Sequence, residues 1–218
     1  MIVALLSAVG CGAGSVIPDG AGHSSAPSDY GVADLPAGLD AAGLKKSMLR
    51  SENLATAWEV GARPSARDAP ADLPCRKTSG PTRCAGLKAS GRARYDDPYQ
   101  TGTISIDLQA YESRTAARRD YTRRKASLAH QPGRKRAVSP KVGNASTMRE
   151  SVDEATGETT VTLVMRAGTV SAVTRYVCND SCEEDPDFGA KDDLLIFATI
   201  QFKRIQYVQR GKTPPTRL

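Results

Sequence analysis

Residues 101–113 read TGTISIDLQAYES, and this stretch constrains the fold more than any other in the chain. Ile104, Ile106, Leu108 and Ala110 alternate with Thr103, Ser105, Asp107 and Gln109. A period of two places the two sets on opposite faces of a strand. The stretch therefore predicts a half-buried strand, which needs strand neighbours and a second layer over its apolar face. Residues 142–177, VGNASTMRESVDEATGETTVTLVMRAGTVSAVTRYV, read as three more strands. EATGE and RAGT are their turns, each with a glycine where a hairpin needs one. Val161, Leu163 and Met165 alternate in one strand, Ala172 and Tyr176 in the next. A shorter strand over ASGRARY, residues 89–95, precedes the first.

Helical spacing occurs in three places. DAAGLKKSMLRSE, residues 40–52, offers Asp40 as an N-cap and Leu44, Met48 and Leu49 as an apolar stripe. NLATAWEV follows with the only tryptophan, Trp58, expected to pack on the core. SRTAARRDYTRRKASLAH, residues 113–130, is a helix with Ser113 as N-cap, ended by QPGRKR. LLIFATIQFKRIQYVQ, residues 194–209, is the last helix, with Leu195, Ala198, Phe202 and Ile205 on one face. Helices before, between and after runs of antiparallel strands predict an α+β fold, a central antiparallel sheet flanked by helices. With only 5% aromatic residues, its core rests on Val, Ile, Leu and Ala.

The five cysteines separate into Cys11 and an even set of four, Cys75, Cys84, Cys178 and Cys182. Four cysteines allow three pairings. The spacing favours two local loops, CRKTSGPTRC at 75–84 and CNDSC at 178–182, and hence a disulfide-stabilised domain in an oxidising compartment. Residues 61–89, rich in Pro, Arg and Ala, read as a loop stapled by the first pair. A zinc site needs two close pairs, and only the second pair has that spacing.

Cys11 stands where an apolar segment meets a Gly-, Ser-, Ala- and Pro-rich one. MIVALLSAVG is too short to span a bilayer and has the length of the apolar core of a signal peptide. No Lys or Arg occurs before Lys45, so a basic leader is expected upstream. Residues 8–11, AVGC, resemble the bacterial lipobox, with Ala8 where Leu is usual. That resemblance implies cleavage before Cys11 and its lipidation. The expected organisation is then a signal peptide over 1–10, a flexible tether over 11–38, one extracytoplasmic domain over 39–210 and a disordered tail over 211–218.

LKKSMLRSENLATAWEV, residues 44–60, together with the hairpins from VGNAS to TVSAV and the closing apolar helix, resembles the PknH-like extracellular sensor domain of mycobacterial receptor kinases. Related small lipoproteins of high-GC Gram-positive bacteria share the pattern. The resemblance spans about residues 40–210. It departs from the family at LATAW, where Pro-Gly is usual before the tryptophan. It implies an α/β sandwich around an antiparallel sheet, disulfides, and binding or sensing rather than catalysis.

Motifs that carry chemistry are lacking. No G-x-S-x-G, H-E-x-x-H or phosphate-binding loop occurs. His130 is the only histidine of the domain and sits beside basic residues. DPDFGAKDD lacks the alternating oxygen ligands of a calcium loop. No cofactor or metal is expected. The net charge of +6 instead points to anionic partners. It concentrates in residues 114–125, where Arg114, Arg118, Arg119, Arg123, Arg124 and Lys125 face one acid, Asp120. This helix is a candidate surface for anionic lipid or wall polymer. The alternative is a solvated face balanced by the acidic loop 183–193, which carries six acids and one lysine. Nucleic acid is not the expected partner, since stacking aromatics and groove-reading motifs are missing. The reading is a membrane-anchored lipoprotein that binds or senses an unknown ligand. Its alternatives are an exported enzyme with an unrecognised site and a basic cytoplasmic protein that binds nucleic acid.

Overall fold

A computed structural model describes residues 38–54, 58–69, 86–97, 101–130, 136–138, 140–153, 155–178 and 190–216. The described strands are β1 (Glu59–Asp68), β2 (Leu87–Asp96), β3 (Gly102–Tyr111), β4 (Arg136–Val138), β5 (Ala145–Val152), β6 (Thr159–Ala167) and β7 (Val170–Cys178). The helices are α1 (Ala41–Ser47), α2 (Arg114–Ala129) and α3 (Ala190–Gln209), with a single 3-10 turn over Ser51–Asn53. The strands form one antiparallel sheet in the order β1-β2-β3-β7-β6-β5-β4. Two meanders, β1 to β3 and β4 to β7, thus meet at the β3–β7 pair, and α2 carries the chain from one to the other.

The register explains the core. Ile104, Ile106, Leu108 and Ala110 stand opposite Tyr176, Thr174, Ala172 and Val170, which stand opposite Val161, Leu163, Met165 and Ala167. All twelve are buried. They form one face of the sheet, and α1 and α3 cover it. α2 covers part of the other face, over β3, β6 and β7. That second layer is why Thr162 and Val164, on the alternate positions of β6, are buried too. The α+β class, the alternation in β3 and the three hairpin strands expected over 142–177 are as read from the sequence.

Helix starts follow their caps. The Asp40 carboxylate accepts from the Gly43 amide at 2.7 Å, and the Ser113 hydroxyl accepts from the Ala116 amide at 3.2 Å. Leu44, Met48 and Leu49 are completely buried. Met48 lies against β2 at Gly91, where a Cβ would fall 2.3 Å from its terminal carbon. The β6–β7 turn uses Gly168 at φ +57°, where Gln209 of α3 also leaves no room for a side chain.

Four expectations need correction. Residues 61–68 are not a stapled loop but most of β1, and residues 87–89 begin β2. β1 escapes the alternation test because it is an edge strand with two register shifts, and the edge tolerates Pro64. The buried face of α3 is Leu194, Phe197, Ala198, Gln201, Arg204, Ile205 and Gln209, with Leu195 and Phe202 at its flank. The acidic segment 183–193 is not all loop, because α3 begins at Ala190 and places Asp192 and Asp193 in its first turn, where acids oppose the helix dipole favourably. The tail over 211–218 is not free coil as far as Thr216: Pro214 is buried, and the Pro215 and Thr216 carbonyls accept from Arg204 and Asn53.

Cys178 is buried at the end of β7 and is disulfide-bonded. Cys75, Cys84 and Cys182 lie outside the described residues, as do Cys11, the signal segment and the tether up to residue 37.

Two polar residues of α3 hold α1 in place. The Gln201 amide donates to the Ser47 carbonyl at 2.9 Å and accepts from the Leu49 amide at 3.3 Å. Arg204 donates to the carbonyls of Met48 at 2.9 Å, Lys46 at 3.2 Å and Pro215 at 3.3 Å. Arg204→Leu strands the buried Met48 carbonyl, at roughly 1–3 kcal/mol, and leaves the part-buried Lys46 and Pro215 carbonyls unpaired at a smaller cost. We expect a loss of about 3 kcal/mol in all, a fall of about 6–12 °C in Tm at 2–4 °C per kcal/mol for a chain of this size. Arg204→Lys should recover only part of it, because an ammonium lacks the planar fork. Thermal unfolding followed by circular dichroism measures both.

Candidate functional site

The described surface has its open grooves between α1 and β1. α1 runs along β1 because the Ala41 amide donates to the Asp68 carboxylate at 2.7 Å near one end. At the other end the chain leaves α1 through Arg50. The Arg50 amide donates to the Asn53 side chain at 3.0 Å, and its carbonyl accepts from the Asn53 amide at 2.9 Å. Asn53 in turn donates to the Thr216 carbonyl, so the tail fixes this turn. Trp58 follows and packs edge-on against Phe197 at 5.1 Å and Tyr176 at 6.0 Å between ring centres. Tyr95 joins the cluster against Phe197 at 5.6 Å and donates to the Leu49 carbonyl at 3.1 Å.

Two adjoining hollows make up the groove. One, of about 500 Å³, is lined by Ala42, Lys45, Lys46, Arg50, Arg63 and Pro64. The other, of about 570 Å³, is lined by Arg50, Glu52, Trp58, Glu59, Val60, Arg63 and Pro64. Arg50, Arg63 and Pro64 belong to both and mark the junction. Arg50 reaches Glu52 at 3.7 Å, a loose and exposed pair worth little. Among the described residues Lys45, Lys46 and Arg63 make no ion pair. Charge therefore runs along the groove, from the two lysines through two arginines to an end with Trp58 and two glutamates.

A third hollow, of about 360 Å³, lies beside Glu59, Arg94, Asp96, Asp97 and Thr103. Its polar groups serve the β2–β3 turn. Arg94 donates to Asp96 at 2.9 Å, and Asp97 accepts from the Thr101 amide at 3.0 Å and its hydroxyl at 2.9 Å. Asp97 also faces Tyr176, whose hydroxyl is pushed up to about 12 by burial first and then by the charges of Asp97 and Asp193. Among the described residues no cluster of three His, Cys, Asp or Glu could hold a metal ion. His130 is exposed at the end of α2.

The six cations expected to act together on α2 do not share one role. Asp120 is buried and accepts from Arg123 and, at 2.5 Å, from Arg124. Arg124 is 12% exposed and Arg123 35%. Burial raises the Asp120 carboxyl, but the Arg124 charge and the Arg123 hydrogen bond outweigh it and hold the group below its ordinary value. Among the described residues the acid that pairs with these two arginines is Asp120, and Lys191 of the acidic segment pairs with Glu150 at 2.6 Å. Arg118, Arg119 and Lys125 are exposed and Arg114 half-buried. The groove cations Lys45, Lys46, Arg50 and Arg63 escaped the sequence reading, because only the pairing of α1 with β1 brings them together. A basic last turn on α1 was the one local signal.

No family model matches the chain. No curated protein matches it either. Among solved structures, the crystal structure of the extracellular domain of PknH from Mycobacterium tuberculosis is similar to it, at 12% identity over 81% of this chain and 99% of that one. The TM-score is 0.49, too low for the likeness to carry functional weight.

Asp120 provides a pH test. Its lowered carboxyl contributes stability that is fully present above the ordinary value of 3.8 and is lost as pH falls through the lower folded value. Asp120→Asn should cost about 2 kcal/mol near neutral pH, less than a fully buried pair because Arg123 is partly exposed. The gap between parent and variant should close below pH 3.8 as the parent loses this contribution. Denaturant unfolding across pH measures the gap.

Proposed function

We propose that the chain is a lipid-anchored extracytoplasmic domain that binds a ligand in the groove between α1 and β1, in a sensing role without catalysis. The observation that carries the binding role is the groove itself: arginines and lysines line a single open channel, three of these cations without an ion pair among the described residues, beside a tryptophan edge. Convergent polar groups on an apolar floor are what a ligand site requires. The extracytoplasmic placement is supported by the disulfide at Cys178, since disulfides persist in oxidising compartments. In this reading Cys75 pairs with Cys84 and Cys178 with Cys182, each short loop contributing roughly 2–3 kcal/mol. The anchor rests on AVGC and the apolar run before it. Several acyl chains on Cys11 would hold the domain firmly where one would not. The exposed Arg118, Arg119 and Lys125 of α2 then supply a secondary attraction to anionic lipid or wall polymer, screened beyond about 8 Å at physiological salt.

Three measurements test this reading. Full-length protein expressed in a lipoprotein-processing bacterium should partition into detergent, and Cys11→Ser should move it to the aqueous phase. Non-reducing peptide maps of the same material should link the two local cysteine pairs. An aqueous full-length parent would overturn the anchor. For the binding role, fractions of a cell-envelope extract should raise Tm. A ligand at about 100 times its Kd stabilises by about 2.7 kcal/mol, or roughly 5–10 °C here. Arg50→Glu with Arg63→Glu should abolish the shift. A groove that no fraction stabilises is not a binding site.

A further inference from the structure

We propose that the groove takes an anionic sugar, a pyranose bearing a carboxylate or phosphate, in one orientation. The inference rests on the groove being a binding site and adds what it binds. Its basis is the order of groups along the channel. At the junction stand Arg50 and Arg63, the only two charged side chains common to both hollows. Two guanidinium forks suit the planar, bidentate recognition of a carboxylate or phosphate better than point charges do. Lys45 and Lys46 reinforce that end.

The other end rejects a second anion. Glu52 and Glu59 line it, both exposed, and with them Trp58 and Val60. Carboxylates accept hydrogen bonds from hydroxyls, and half-buried Val60 and Pro64 over the buried Trp58 make an apolar floor for the C–H groups of a sugar ring. The occupant must then be anionic at one end and hydroxylated, neutral and partly apolar at the other. A nucleic-acid strand or a sheet of lipid phosphates would set negative charge against Glu52 and Glu59. Inorganic phosphate would leave the Trp58 end empty. An anionic sugar satisfies both ends.

Trp58 is the only tryptophan of the chain; it is 7% exposed and reaches the groove floor with its edge alone, so its fluorescence reports occupancy through the polarity of that floor. The test uses the full chain carrying Cys11→Ser, titrated with monomeric galacturonate, mannose 6-phosphate, maltotetraose and inorganic phosphate. Galacturonate and mannose 6-phosphate, each with one anionic group, separate the carboxylate from the phosphate source. At least one should give a saturable change, with maltotetraose and phosphate at least tenfold weaker. Arg50→Gln with Arg63→Gln should lower that affinity at least tenfold. Glu52→Gln with Glu59→Gln should shrink the preference for the charged sugar over phosphate. Lys141→Gln with Lys212→Gln, two exposed lysines outside the groove, should leave it unchanged. All these positions are exposed, and circular dichroism checks that each variant folds.

Equal affinity for phosphate alone, equal loss in the Lys141 and Lys212 variant, or no saturable response to either charged sugar overturns the proposal. Saturation by maltotetraose, lost in the arginine variant, overturns the anionic class while leaving groove binding intact, so the two readings fail separately.

Discussion

The attachment of α1 to α3 through Gln201 and Arg204 is the constraint on which the rest of this domain depends. α1 has seven residues, far too few to persist alone. Its apolar stripe of Leu44, Met48 and Leu49 seats it on the sheet, but its closing carbonyls would be stranded in the interior. Arg204 takes three carbonyls and Gln201 both takes and gives. Burying a guanidinium is costly, and the cost is met only when its donors are satisfied. Two of the three acceptors, the Lys46 and Met48 carbonyls, sit at the C-terminus of α1, where the backbone dipole is negative. Burial first, and then the charge of Arg50, lower the pKa of Arg204, opposed by Glu52 and Tyr95. The clamp therefore works beside the groove, within reach of its charges.

The same logic recurs on the opposite face of the sheet. α2 is polar almost all round, with Ala117 and Leu128 its buried apolar residues. A helix of that kind cannot be held by hydrophobic burial alone. Arg123 and Arg124 neutralise the buried Asp120 within the helix, and two contacts reach the sheet: Tyr121 shares a hydrogen bond with Thr147 at 3.0 Å, and the buried Arg149 of β5 donates to the Leu128 carbonyl. Gln209 likewise ties the end of α3 to the β6–β7 turn through Ala167 at 3.0 Å and Thr169 at 3.1 Å. Apolar alternation builds the sheet, while buried polar side chains decide where each helix lies on it.

That division explains what was legible in the sequence. Strands β3, β6 and β7 announce themselves because one face is buried and the period of two survives. Asp40 and Ser113 announce helix starts because capping is local chemistry. β1 stayed hidden because an edge strand with Pro64 and two register shifts has no period to show. Gln201 and Arg204 were misplaced because an apolar stripe read by residue type skips polar members. They fall at the spacing of Phe197 and Ile205, so the geometry was present and the chemistry disguised it. The basic run on α2 was visible, but its division into Arg123 and Arg124 on Asp120 and the exposed Arg118, Arg119 and Lys125 needed the sheet. The groove is tertiary throughout: Lys45, Arg50 and Arg63 come from three separate segments.

Two groups of cations serve different ends. Arg149 and Arg204 are buried and fix helices through backbone carbonyls; Lys45, Lys46, Arg50 and Arg63 stand along the groove. Arg50 lies where the two meet. Its backbone is bracketed by Asn53, which holds Thr216 of the tail, and the neighbouring Pro215 carbonyl is an acceptor of Arg204. Its charge lowers the pKa of Arg204. A guanidinium stays charged in proteins, so this repulsion is a cost the clamp carries rather than a change of protonation. Groove and clamp share one short stretch of chain: Lys45, Lys46 and Arg50 turn side chains to the groove, while the Lys46 and Met48 carbonyls accept from Arg204.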